Sequence, residues 1–359
     1  DAKGALLLEP ASTNLITYSE LFSNASWVKS GISNLSSGQV SPKGDLTAFK
    51  LVETATNAVH QINVSKSVTG NDYSFSVFVK KGEREFVSLV FSDFTRYLSH
   101  YTFDLTNGVT TKSYDYTGVT STFTSTQMND GWYKLSLSSN YLSWATNVIP
   151  RLYIENTSTP ATAPANSYLG NGTDGLYIYG AQLEENSYST SYIKTIGTTQ
   201  TRSADTCSQT ASSVLIGQTE LTVFYKGIVE RLGGNDGHAL SLSQSVNASG
   251  SSRILLYRNS GNGNMYVYIQ DTTTVFDTPL LVNSNPQIND KYAISIKDND
   301  LVIYCNGVKV AENNSGTIPA MQHIYLNKWN NEINQKNITQ ELKLYNTRLT
   351  NAELQALTQ

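Results

Sequence analysis

Residues 74–80 read Ser-Phe-Ser-Val-Phe-Val-Lys, and this alternation restricts the fold more than any other feature of the chain. A strand turns successive side chains to opposite faces, so Phe75, Val77 and Val79 share one side while Ser74, Ser76, Phe78 and Lys80 share the other. The same period fits residues 85–91, 100–105, 132–138 and 151–155, each bounded by Gly, Asn or Asp. At 175–180, Leu176 and Ile178 oppose Tyr177 and Tyr179. Strands recurring about every ten residues, with no helical period between them, predict an antiparallel sandwich. After Tyr192 the text becomes polar and patternless, which predicts a linker over 194–212. A second series follows at 220–225, 253–257, 265–270 and 292–296, and two apolar runs meet at Asn306-Gly307, the signature of a tight hairpin. Only the end reads as helix, with Thr350 as N-cap and Glu353 placed for a capping box.

With 359 residues the chain has room for two domains, expected at 1–200 and 201–359. Hydrophobic residues make up 39% and charged residues 15%, and 22 Tyr and 24 Gly favour pleated surfaces and polar turns, so the class is all-β. The net charge of −4 and the scattered basic residues argue against nucleic acid as a partner. No apolar run reaches the length of a spanning helix, so membrane insertion is not expected. Cys207 and Cys305 are too few for a disulfide framework and are expected to be unpaired thiols. The opening Asp1-Ala2-Lys3-Gly4 has neither an initiator Met nor a signal peptide, which suggests a piece of something longer.

Gly4-Ala-Leu-Leu-Leu-Glu-Pro-Ala-Ser-Thr-Asn-Leu15 with 18–27, Ser76–Arg84, Asp130-Gly-Trp-Tyr133, Tyr177–Glu184 and Ser191-Tyr-Ile193 together resemble modules of phage head-spike and tail-fibre proteins. Those modules are similar to jelly-roll carbohydrate-binding modules. The second half, through 292–307 and the ending Glu341–Asn346 with Leu349–Leu354, resembles concanavalin A-like and laminin G-like sandwiches. The resemblance implies two tandem antiparallel β-sandwiches, a jelly roll and then a concanavalin A-like module, in a virion setting. A fold of this kind leaves activity to its site.

Catalysis finds little support in the residues. Glu83 and Glu85 share a strand face but stand among Lys80, Lys81 and Arg84, as a solvated strand end would. His60, His100, His238 and His323 are isolated and form no zinc motif. No cofactor is expected, although a structural calcium ion stays open at the oxygen-rich turns Asn171-Gly-Thr-Asp174 and Asn235-Asp236-Gly237, which plain turn chemistry also explains.

Sugar rings offer an apolar C–H face that flat aromatic side chains meet, while amides and carboxylates address the hydroxyls. Trp27 and Trp132 belong to strand-like motifs and are expected in the core. Trp144, in Asn140-Tyr-Leu-Ser-Trp-Ala-Thr-Asn147, and Trp329, in Asn327-Lys-Trp-Asn-Asn331, lie in polar surroundings and serve either as sugar platforms or as packing lids. Tyr97, Tyr114, Tyr116 and Tyr141 would extend the first surface. The expected function is non-enzymatic adhesion of a phage fibre or spike to surface glycans, at the virion surface, beside other virion proteins and as a possible homotrimer. A polysaccharide depolymerase and a purely structural decoration protein are the alternatives.

Overall fold

The computed structural model describes residues 4–68, 72–140, 146–158, 167–210, 216–230, 236–245, 252–270, 276–326 and 335–359. They form two all-β units, Ser12–Arg202 and, together, Asp1–Ala11 with Ser203–Gln359.

The first unit stacks two antiparallel sheets. One runs Ser121–Gln127, Trp132–Asn140, Asp72–Lys81, Gly175–Glu184, Ala48–Glu53 and Ile32–Gln39 in spatial order. The other runs Val109–Asp115, Tyr97–Asp104, Phe86–Ser92, Asn147–Glu155, His60–Asn63 and Val28–Ser30. Chain neighbours Asp72–Lys81 and Phe86–Ser92 lie in opposite sheets, as do Trp132–Asn140 and Asn147–Glu155, yet each finds its ladder partner from the other pair. That exchange is the jelly-roll connection. Phe75, Val77, Val79, Val87, Leu89, Phe91, Leu135, Leu137, Leu176 and Ile178 fill the space between the sheets, as the alternation requires. Trp27 joins this core, while Trp132 packs with Phe78 and Tyr179 on the far face of its sheet.

The second unit pairs a sheet ordered Leu6–Leu8, Asn337–Tyr345, Glu220–Val229, Lys291–Lys297, Asp300–Cys305 and Val308–Asn313 with another ordered Cys207–Thr210, His323–Leu326, Gly237–Ser243, Arg253–Arg258, Met265–Gln270 and Phe276–Asn283. This is the concanavalin A-like sandwich. Leu221, Val223, Leu240, Leu242, Ile254, Leu256, Val267, Ile294 and Ile303 form its core. The helix Asn351–Thr358 starts with the reciprocal bonds of a capping box, Glu353 N to Thr350 Oγ1 and Thr350 N to Glu353 Oε2, and sets Leu354 on Ala293, Val302 and Tyr304.

The stretch expected as a linker is instead paired wherever it is strand. Gln200–Arg202 lies against Ser12–Asn14, and Cys207–Thr210 against His323–Leu326. These are short and largely exposed edge strands, so no apolar alternation marks them in the sequence. Leu6–Leu8 pairs with Asn337–Tyr345, which brings the start of the chain into the second unit, a feature that a linear division at residue 200 leaves out.

Asn306 and Gly307 take φ of +48° and +79°, the two positive centres that a type I′ hairpin needs. A Cβ at Gly307 would also stand 2.8 Å from Gln359 Cγ. Gly307→Val should therefore cost the second sandwich more than about 1 kcal/mol, since a β-branched residue resists positive φ. An unchanged thermal midpoint would contradict this reading.

Candidate functional site

The alternation that buries Val87, Leu89 and Phe91 turns Ser88, Val90 and Ser92 to the outer face of their sheet. The ladders fix what stands beside them. Ser88 lies between Thr102 and Tyr153, with Gln61 beyond Tyr153; Val90 lies between His100 and Arg151, with Asn63 beyond Arg151; Ser92 faces Tyr97. Tyr114 is placed across from His100 and extends the same face. One sheet surface thus collects two amides, three small hydroxyls, a guanidinium, an imidazole, a carboxyl and several tyrosines.

Arg151 and Tyr97 are both half-buried and meet there, the guanidinium carbon lying 5.8 Å from the ring centroid. Arg151 Nε donates to Ser92 Oγ at 2.7 Å and its Nη1 to Gln61 Oε1 at 3.1 Å, so the fork is held in one orientation by neutral acceptors. Tyr153 packs with Val90, Val59 and Tyr97 beside it. Burial raises the Tyr153 phenol, with nearby Arg151 opposing.

Farther along the face, Glu155 is 1% exposed. Its Oε1 accepts from Ser88 Oγ at 3.1 Å, Ser88 Oγ also lies 2.8 Å from Thr102 Oγ1, and Glu155 Oε2 has no partner. Burial pushes this carboxyl up to about 7 against the opposing hydrogen bond from Ser88. Burial pulls His100 down to about 4, and its Nε2 is also without a partner.

The other buried carboxylates of this unit are saturated. Glu53 accepts from Arg84 Nε and Nη2, Tyr168 Oη and Asn171 N at 2.9, 2.6, 2.7 and 2.9 Å. Glu184 accepts from Ser12 Oγ and from Thr190 N and Oγ1. Glu83 and Glu85 enter separate surface ion pairs with Lys50 and Lys81. In the first oxygen-rich turn Asn171 Oδ1 accepts from Thr173 N, Thr173 Oγ1 and Asp174 N; in the second, Asp236 Oδ1 accepts from Ser260 N and Asn259 Nδ2, and Asn235 lies outside the described residues. Among the described residues no group of three His, Cys, Asp or Glu could hold a metal ion. At the edge of the other sheet, a pocket of about 280 Å³ is lined by Tyr18, Leu21, Leu46, Phe49 and Ile196 beside the Glu20–Lys194 pair.

Of the residues singled out in the sequence, Tyr97 lies on the outer face with Arg151. Tyr116 turns the other way and packs against the core, under the Arg96 guanidinium at 5.8 Å. The register shift at His100/Tyr101 in the ladder with Val109–Asp115 accompanies that switch. Tyr141, Trp144 and Trp329 lie outside the described residues. Sequence reasoning missed Arg151, Tyr153 and Gln61, although Arg151-Leu-Tyr-Ile-Glu155 places polar groups at every second position of a recognised strand.

The second unit carries its own aromatic face. His238, Tyr257 and Tyr266 stand in cross-strand register with nearly parallel rings, at centroid spacings of 5.9 and 5.8 Å. In the adjoining rows Arg253 lies 5.3 Å over the Tyr268 ring, and His323 stacks on Tyr325 at 6.0 Å.

The sequence matches no protein-family model and no curated protein. Among solved structures, the chain is similar to the CBM40 of the Ruminococcus gnavus IT-sialidase bound to α2,3-sialyllactose, with 14% identity over 40% of this chain and 84% of that one and a TM-score of 0.32. It is similar to domains LG4-5 of the mouse laminin α1 chain, with 12% identity, 81% and 86% coverage and a TM-score of 0.26. A third likeness is to Trypanosoma rangeli sialidase in complex with sialic acid, with 10% identity, 87% and 60% coverage and a TM-score of 0.31. All three are distant, and the fold described above rests on the strand registers themselves.

Proposed function

We propose that the chain is a non-enzymatic, glycan-binding adhesion segment of a phage fibre or spike, and that the first sandwich binds through the face around Tyr97 and Arg151. The observation that carries this reading is the grouping of the half-buried Tyr97 ring with a half-buried guanidinium that Ser92 and Gln61 hold in one orientation. A pyranose needs that combination: a flat ring for its C–H face and donors and acceptors for its hydroxyls. The stacked row His238–Tyr257–Tyr266 offers a second platform of the same chemistry on the second sandwich. The sequence resemblance to head-spike and tail-fibre modules supports a virion-surface location with other virion proteins as neighbours. Repetition of weak sites, in a homotrimer for instance, would raise avidity without any new contact.

The test is a glycan array probed with the whole chain, followed by affinity measurements on Tyr97→Ala. We expect a retained glycan, at least about tenfold weaker binding by the variant with a nearly unchanged melting midpoint, and no release of reducing ends. Binding undiminished in Tyr97→Ala would move the site elsewhere, and new reducing ends would make the protein a depolymerase.

A further inference from the structure

We infer that the glycan taken by this face carries a carboxylate, and that Arg151 is the residue that selects it. The inference rests on the reading of the face as a sugar site and goes one step further, to the class of sugar.

Three other arginines set the comparison. Arg84 meets Glu53 at 2.6 Å, Arg348 meets Asp300 at 2.9 Å, and Arg96 meets Asp93 at 3.6 Å. Arg151 meets no carboxylate among the described residues; its partners are the neutral oxygens of Ser92 and Gln61. The segments of the first unit outside the described residues, 69–71, 141–145 and 159–166, contain no Asp or Glu that could serve instead. Glu155 shares the strand face but stands four residues away, about 13 Å at strand rise.

A guanidinium has five N–H donors in a planar fork, and two bonds of this one go to Ser92 and Gln61. Holding a charged group half out of water without a counter-ion is costly, and a carboxylate that completes the fork forms the strongest kind of hydrogen-bonded pair available to it. Tyr97, against the same guanidinium, supplies the surface for the ring that bears the acid.

The experiment compares wild-type binding to polygalacturonate, hyaluronan and sialylated oligosaccharides with binding to the same glycans after carboxyl reduction, and to neutral and sulfated polymers. We expect reduction to weaken binding at least about tenfold, one factor of ten being about 1.4 kcal/mol. Arg151→Gln should reproduce that loss on the acidic glycan and lose much less on the reduced form, so that the ratio of the two affinities collapses, and Arg151→Lys should recover part of it. The reduction arm needs only wild-type protein, so a poorly folding variant would not blunt the test. Equal binding of acidic and reduced forms, or a preference for neutral or sulfated polymers that Tyr97→Ala abolishes, would overturn the carboxylate while leaving the sugar face standing. Failure of every glycan to bind would remove both.

Discussion

Glu53→Ala is expected to destabilise the first sandwich by about 3–5 kcal/mol, the range for removing one partner of a buried ion pair. The carboxylate is fully buried and accepts four hydrogen bonds that tie together Ala48–Glu53, Arg84, Tyr168 and the turn at Asn171. Burial alone would raise its pKa, but the bonds from Arg84, Tyr168 and Asn171 N outweigh burial and hold it below the ordinary range. Without it, Arg84 retains Asp174 only at 3.7 Å, and Tyr168 Oη loses its acceptor. Urea unfolding of the whole chain, followed by tryptophan fluorescence, reports mainly this unit, because Trp27, Trp132 and Trp144 lie in it and only Trp329 in the other. A loss below about 1 kcal/mol, the usual value of an exposed pair, would show that the cluster is surface decoration.

The second large effect is a dependence on pH that two residues pull in opposite directions. Glu155 holds its proton more tightly folded, at about 7, than its ordinary 4.5. The folded state therefore has its full advantage below pH 4.5 and gives up about 3 kcal/mol as pH rises through 7. His100 is lowered from 6.5 to about 4, so its contribution is complete above pH 6.5 and is lost as pH falls through 4. Between these limits the two slopes largely cancel. In Glu155→Gln the first slope vanishes, and the variant should gain on the wild type by about 3 kcal/mol between pH 4.5 and 8. Parallel stability profiles would mean that Glu155 is solvated and ionised throughout.

What could be read from the sequence was local. The faces of Ser74–Lys80 follow from period two, the hairpin from the tolerance of Asn306-Gly307 for positive φ, and the terminal helix from Thr350 and Glu353, three residues apart. What could not be read depends on partners far away in the chain. Leu6–Leu8 pairs with residues some three hundred positions later, and nothing in Leu-Leu-Leu says which edge it joins. The candidate face is assembled from Gln61, Ser92, Tyr97 and Arg151 on four strands, so the individual residues show no motif. Aromatic content drew attention to Tyr97 and Tyr116 alike. Only the ladder, with its irregular register, separates the ring on the outer face from the ring against the core.

The central claim is that sugar is met at the outer face of one sheet of the first sandwich, and amide hydrogen exchange of the whole chain with and without a retained glycan tests it most directly. Slower exchange should appear in His60–Asn63, Phe86–Ser92, Tyr97–Asp104 and Asn147–Glu155, the strands that carry Gln61, Ser92, Tyr97 and Arg151. Protection confined to the pocket around Tyr18, Leu46 and Ile196, or to the second sandwich alone, would contradict the claim.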